Sequence, residues 1–123
     1  MKLSILLYGL SILLKLASKK NMSIKKRCMD KNATLLIRTK DGNTARSFIF
    51  LNGKIFSKGG NTSCFDAALV WKDAPKAFKT LTSGYDGDFI KDLNNGDLVI
   101  EGDPGLVFWF SSTLREIKDG CSR

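Results

Sequence analysis

A chain of 123 residues is one domain's worth, long enough to bury a core without disulfides or a metal. Hydrophobic residues make up 43% of it and charged residues 26%, with a net charge of +8; apart from the charge, this is ordinary globular composition. Histidine is absent, which excludes Ser–His and Cys–His catalysis and His-ligated zinc, and an odd set of three cysteines without a CxxC argues against a disulfide framework.

The charge is unevenly placed. Residues 1–31 hold eight of the twenty cations and one acid, Asp30, which leaves twelve cations and eleven acids for the rest of the chain. The same segment holds the longest apolar run, Leu3 to Ala17, followed by Lys19, Lys20, Lys25, Lys26, Arg27 and Lys31. Fifteen residues span about 22 Å as a helix, short of the roughly 30 Å of a bilayer core, and Lys15 interrupts the run. A secretory signal fits the charged start and Ala17-Ser18, but Lys15 stands where small residues are needed. Helical geometry offers a third reading. Ser4, Tyr8, Ser11, Lys15 and Ser18 share one narrow arc and the remaining circumference is Leu and Ile. Such a helix buries a wide face against its own domain or in a membrane interface, and the cations after it suit anionic head groups or simply a solvated helix end.

From Ala33 the pattern changes to short β-like runs. Ala33–Thr39 ends at the turn dipeptide Asp41-Gly42, and Arg46–Leu51 is joined through Asn52-Gly53 to Lys54–Ser57, a strong hairpin signal. A fourth strand is expected over Phe65–Trp71. Asp73 and Pro75 then announce a helix in which Ala74, Ala77, Phe78 and Leu81 share a face before Ser83-Gly84 stops it. A second short helix begins near Asp88, carries Phe89, Ile90 and Leu93, and ends at Asn94-Asn95-Gly96. Strand character returns over Asp97–Glu101 and, after Gly102-Asp103-Pro104-Gly105, over Leu106–Phe110; Ser111–Ile117 reads as a strand end or a short helix. Helix, four strands, two helices and two strands predict an α+β fold with a largely antiparallel sheet of five to six strands and helices on one face. The helical pair over residues 74–96 is the one place long enough for a crossover.

Candidate chemistry is sparse. Asp86, Asp88, Asp92 and Asp97 lack the ligand spacing of a calcium loop, and capping by Asp88 with a turn at Asp86-Gly87 explains them more cheaply. No metal and no cofactor is expected. The glycines form neither a GxxxxGK[ST] nor a GxGxxG loop and read as turn residues, with Gly105 a candidate for close backbone approach. The cations do not interleave with aromatics, so nucleic acid is not an expected partner. Ten phenylalanine and tryptophan residues from Phe48 to Phe110 fit a filled core or a cavity for an apolar ligand, and composition does not separate the two.

The residue order ATLLIRTKDG…RSFIFLNGKI…FDAALVWKD, then APKAFKTLTSG and DFIKDLNNG, then DLVIEGDPGLVFWF resembles the sterol carrier protein (non-specific lipid-transfer) domain family over residues 33–117. The resemblance implies an α+β fold with a hydrophobic tunnel for sterols, fatty acyl chains or similar lipids, and no catalysis. Mapped onto this chain, Phe78, Leu81, Phe89, Leu93, Leu106, Phe108 and Phe110 would line the tunnel. The expected organisation is an amphipathic helix with a basic exit over 1–31, a sterol-carrier-like lipid-binding domain over 32–118 and a tail over 119–123. The expected partners are an apolar small molecule and an anionic membrane surface, the latter contacted through Lys15, Lys19, Lys20, Lys25, Lys26 and Arg27; oligomeric state is open. Reduced thiols point to a cytoplasmic protein visiting membranes peripherally. The competing reading is a solid-core protein-interaction or enzyme-accessory domain without a ligand cavity.

Overall fold

The computed structural model describes residues 2–83 and 86–121. Gly84, expected to stop a helix, and the last two residues of the tail lie outside them. In chain order the elements are α1 (Lys2–Lys20), α2 (Met22–Met29), β1 (Ala33–Thr39), β2 (Ala45–Leu51), β3 (Lys54–Gly59), β4 (Ala67–Trp71), α3 (Ala74–Ser83), α4 (Asp86–Asn95), β5 (Leu98–Gly102) and α5 (Pro104–Cys121).

The N-terminal segment is two helices. Asn21 breaks it in an extended conformation, and its Oδ1 accepts from the backbone N–H groups of Ser23 (3.0 Å) and Ile24 (3.4 Å), an N-cap that starts α2. The face of α1 that turns inward carries Leu3, Leu7, Ser11, Leu14 and Ser18, so the narrow polar arc is divided, with Ser4 and Tyr8 exposed. Ser11 and Ser18 tolerate burial because each hydroxyl donates within its own helix, to the carbonyls of Tyr8 (2.6 Å) and Lys15 (2.8 Å). Ile5, Ile12, Leu13 and Leu16 face outward instead.

Five strands form one sheet in the order β3-β2-β1-β4-β5. All neighbours are antiparallel except β1 and β4, which run parallel with Leu35 opposite Ala67 and Thr39 opposite Trp71. This corrects the expected crossover. The helical pair α3–α4 joins the antiparallel neighbours β4 and β5, whereas the parallel pair is reached by way of the β2–β3 hairpin and residues 60–66. The β2–β3 turn is as the dipeptide predicts, with Asn52 (φ 51°) and Gly53 (φ 86°) both left-handed.

Period-two alternation assigns the faces. Leu35, Ile37, Phe48, Phe50, Ala67, Leu69, Trp71 and Leu98 are buried in one core with residues of all five helices, so the helices cover one face. On the other face Leu36, Ala68 and Val70 form a smaller cluster closed by Ala45 and Phe65. An Arg38–Glu101 ion pair (3.6 Å) bridges β1 and β5 there.

The expected strand over Leu106–Phe110 is helix. Gly102 is left-handed (φ 80°), Asp103 caps the helix by accepting from the Gly105 N–H (2.9 Å), and Pro104 occupies the first helical position. Leu106, Val107, Phe110, Thr113 and Ile117 are buried, a helical period that a five-residue apolar run is too short to display. The close backbone approach falls at Gly102, where a Cβ would stand 2.3 Å from the Asp66 carbonyl oxygen, not at Gly105.

Candidate ligand-binding site

The interface between sheet and helices is built from aromatic rings. Phe48 and Phe50, two apart on β2, point to the same face and meet α5. The ring centroids of Phe48 and Phe110 are 5.5 Å apart, and Phe50 meets Trp109 edge-on at 4.9 Å. At the far side of the sheet Trp71 meets Phe89 of α4 edge-on at 6.4 Å. Such tilted and edge-to-face pairs are favoured by the ring quadrupoles. Lys31 Nζ lies 4.9 Å from the Trp109 ring centre, a cation–π contact at the exit from α2.

Of the seven residues expected to line a tunnel, five come together. Leu106 and Phe110 are buried in the main core, and Leu81, Phe89 and Leu93 pack half-buried against it. Phe78 is half-buried on α3. Phe108 is 58% exposed: in a helix it projects about 200° round from Phe110, whereas a strand would have put both on one side. Phe48, Phe50, Trp71 and Trp109 belong to the same interface. Period-two spacing in β2 and β4 already places the first three on a shared face.

Polar groups within this interface are matched. The Trp71 indole N–H donates to Asp92 Oδ2 (3.1 Å), and the Thr80 hydroxyl donates to the same oxygen. Asp92, one of the four acids that invite a metal reading, is therefore a buried acceptor that ties β4, α3 and α4. No group of three or more metal-ligating side chains occurs among the described residues.

The basic residues fall into two sets. Lys19, Lys20, Lys25 and Lys26 are exposed. Arg27 is half-buried and engaged with α5: Nε donates to Thr113 Oγ1 and Nη2 to Ser112 Oγ, both at 3.1 Å, and Nη1 lies 3.5 Å from Glu116 Oε2. Lys15 is half-buried on α1. No helix of the described residues is long and apolar enough to cross a membrane.

A cleft of about 260 Å³ opens between the N-terminal part of α1 and the ends of β2 and β3. It is framed by the β1–β2 turn, where the Asp41 carboxylate accepts from the Thr39 hydroxyl (2.6 Å) and from the Asn43 backbone and side-chain nitrogens (3.0 and 3.2 Å). The Thr39 hydroxyl bond and the Asn43 N–H hold the Asp41 carboxyl below its ordinary value. Burial pushes the Cys28 thiol in α2 up, against a smaller opposing pull from Arg27.

No family model and no curated protein matches the chain in sequence. Solved structures do match in fold. A UbiJ-SCP2 ubiquinone synthesis protein superposes with a TM-score of 0.69 at 16% identity, over 93% of this chain and 92% of that one. A sterol carrier protein 2 superposes with a TM-score of 0.62 at 11% identity, over 87% and 88%. A sec-alkyl sulfatase contains a similar unit: TM-score 0.56, 16% identity, 70% of this chain but 13% of the enzyme. The chain thus has the α+β sterol carrier protein fold.

Proposed function

We propose that this protein is a non-catalytic carrier that holds an apolar ligand, a fatty acyl lipid, sterol or similar molecule, between its helices and its sheet. The observation that carries the reading is the pairing of the sterol carrier fold, matched over nearly the whole chain, with an aromatic interface where α4 and α5 meet the sheet. Leu81, Phe89, Leu93, Leu106 and Phe110, joined by Phe48 and Phe50, are the proposed ligand contacts. Desolvation of the ligand would drive binding at about 25 cal/mol per Å² of apolar surface removed from water, and no nucleophile or base is needed for that task.

Delivery would take place at an anionic lipid surface. The outward face of α1 presents Ile5, Ile12 and Leu16, and Lys19, Lys20, Lys25 and Lys26 are exposed close by in sequence. Apolar side chains would enter the head-group boundary, and each lysine near the surface adds about 1 kcal/mol. Native mass spectrometry of protein extracted under mild conditions tests the carrier reading directly: a retained lipid mass is expected. Protein that carries no lipid and takes up neither a fluorescent fatty acid nor a fluorescent sterol would overturn it.

A further inference from the structure

One end of the sheet holds a cation that meets no counter-charge among the described residues. Arg46, the second residue of β2, lies on the core face, opposite Ile37 of β1 and Gly59 of β3, and is half-buried. Nη1 donates to Ser57 Oγ at 2.6 Å, and the guanidinium carbon lies 5.3 Å from the centre of the Tyr8 ring. These contacts fix the side chain, yet neither partner is an anion. Arg27 and Arg38 each meet a glutamate, at 3.5 and 3.6 Å, but Arg46 meets no carboxylate among the described residues. A half-buried guanidinium gives up part of its hydration, and its remaining N–H donors form a fork that matches a carboxylate or phosphate.

The cleft beside it supplies the room. Gly42, Gly59 and Gly60 line it together with Asn43 and with Ser4 and Leu7 of α1. A Cβ at Gly59 would stand 3.3 Å from Arg46 Nη2, and one at Gly60 would meet nothing within 4 Å, so the space beside the guanidinium is kept open. Leu7 is fully buried in the main core, which makes one wall apolar while Ser4, Asn43 and Arg46 make the others polar. At about 260 Å³ the cleft falls below the roughly 300–1,000 Å³ of sites that enclose a whole organic ligand. It is the size of a head group.

We propose that this cleft binds the carboxylate or phosphate of an amphipathic acid through Arg46, with the hydrocarbon directed past Leu7 toward the core. The proposal rests on the carrier reading and narrows it, because a neutral sterol would leave Arg46 unused. Charge-assisted hydrogen bonds of this kind are strong enough to favour an acid over its neutral analogue by about tenfold.

Titration of the full chain with oleate and with oleyl alcohol tests this. Oleate is expected to bind about tenfold more tightly, Arg46→Gln to remove that preference while leaving the alcohol's affinity unchanged, and Arg46→Lys, which keeps the charge, to retain part of it. Equal affinities in the unaltered protein, or a preference that survives Arg46→Gln, would overturn the proposal; the comparison within the unaltered protein decides even if Arg46→Gln does not fold. If neither lipid binds, the carrier reading fails separately, and inorganic phosphate followed by NMR decides the cleft. Shifts centred on Arg46 and Gly59 would then support an anion site for a free phosphate, and their absence would overturn it.

Discussion

The Trp71 indole N–H and the Asp92 carboxylate meet at 3.1 Å in the interior, joining a central strand to a helix twenty-one residues further along the chain. Thr80 donates to the same oxygen. One carboxylate thus organises the helical pair against the sheet. Asp92→Ala would leave two buried donors without an acceptor, and unmade buried hydrogen bonds cost about 1–3 kcal/mol each. Chemical denaturation is expected to show a loss of about 2–5 kcal/mol for Asp92→Ala and a smaller loss for Asp92→Asn, which keeps an acceptor oxygen. Equal losses in the two variants would mean that the bonds contribute little.

Gly102 permits the step from β5 into α5. With φ at 80° and a Cβ position 2.3 Å from the Asp66 carbonyl oxygen, Gly102→Ala combines backbone strain with a backbone clash. It is expected to destabilise by more than about 2 kcal/mol. Gly60→Ala carries only the conformational strain, because nothing stands within 4 Å, and its melting temperature should fall less.

α1 belongs to the core. Leu3, Leu7 and Leu14 are buried with Ile24 and Cys28 of α2 among the sheet residues. Deleting residues 1–31 is therefore expected to yield unfolded or insoluble protein, and Leu7→Ala to cost about 2–5 kcal/mol. Replacing Ile5 and Leu16 with Ser on the outward face leaves the core intact. That double variant should keep the parent's melting temperature while losing sedimentation with anionic vesicles; unchanged sedimentation would remove α1 from the proposed membrane contact.

The Asp41 turn should respond to acid. Its folded carboxyl is held below the ordinary 3.8 by hydrogen bonds from Thr39 and Asn43, so its contribution is present above the unfolded value. That contribution is lost as pH falls through the lower folded value. Amide signals of Asn43 and Thr44 are expected to move as the pH falls through that lowered value, and Asp41→Asn should remove that titration. Persistence of the movement in the variant would assign it to another group.

Thiol reactivity should separate two cysteines. Burial raises the Cys28 thiol and removes it from solvent, whereas Cys64 is exposed. Because the thiolate is the reactive form, iodoacetamide at neutral pH should label Cys64 well before Cys28, as read by peptide mass spectrometry. Comparable rates would show that α2 opens readily from the core.

Much of the architecture is readable in the residues, because strong local signals coincide with the global fold. Asn52-Gly53 fixes a hairpin, Asp73 and Pro75 start α3, and Gly96 ends α4. Leu106–Phe110 departs from this. Its β-branched and aromatic content imitates a strand, while the signal to the contrary lies upstream, in Asp103-Pro104 placed to cap and begin a helix. The same pair decides the face on which Phe108 emerges.

Local pattern by itself determined the α+β class and the five strands of the sheet in order, with their turns, while the residue order carried the resemblance to a sterol carrier domain. Local hydrogen bonding and two-residue alternation are short-range, so the chain records them directly. Only the tertiary structure decided which side of α1 is buried, because a helix apolar nearly all round takes its inward face from the surface it meets. Only the structure decided that Arg27 turns to Glu116 while Arg46 meets Ser57, Tyr8 and an open cleft. The environment of a charge is set by what distant segments bring to it, and no spacing along the chain encodes that meeting.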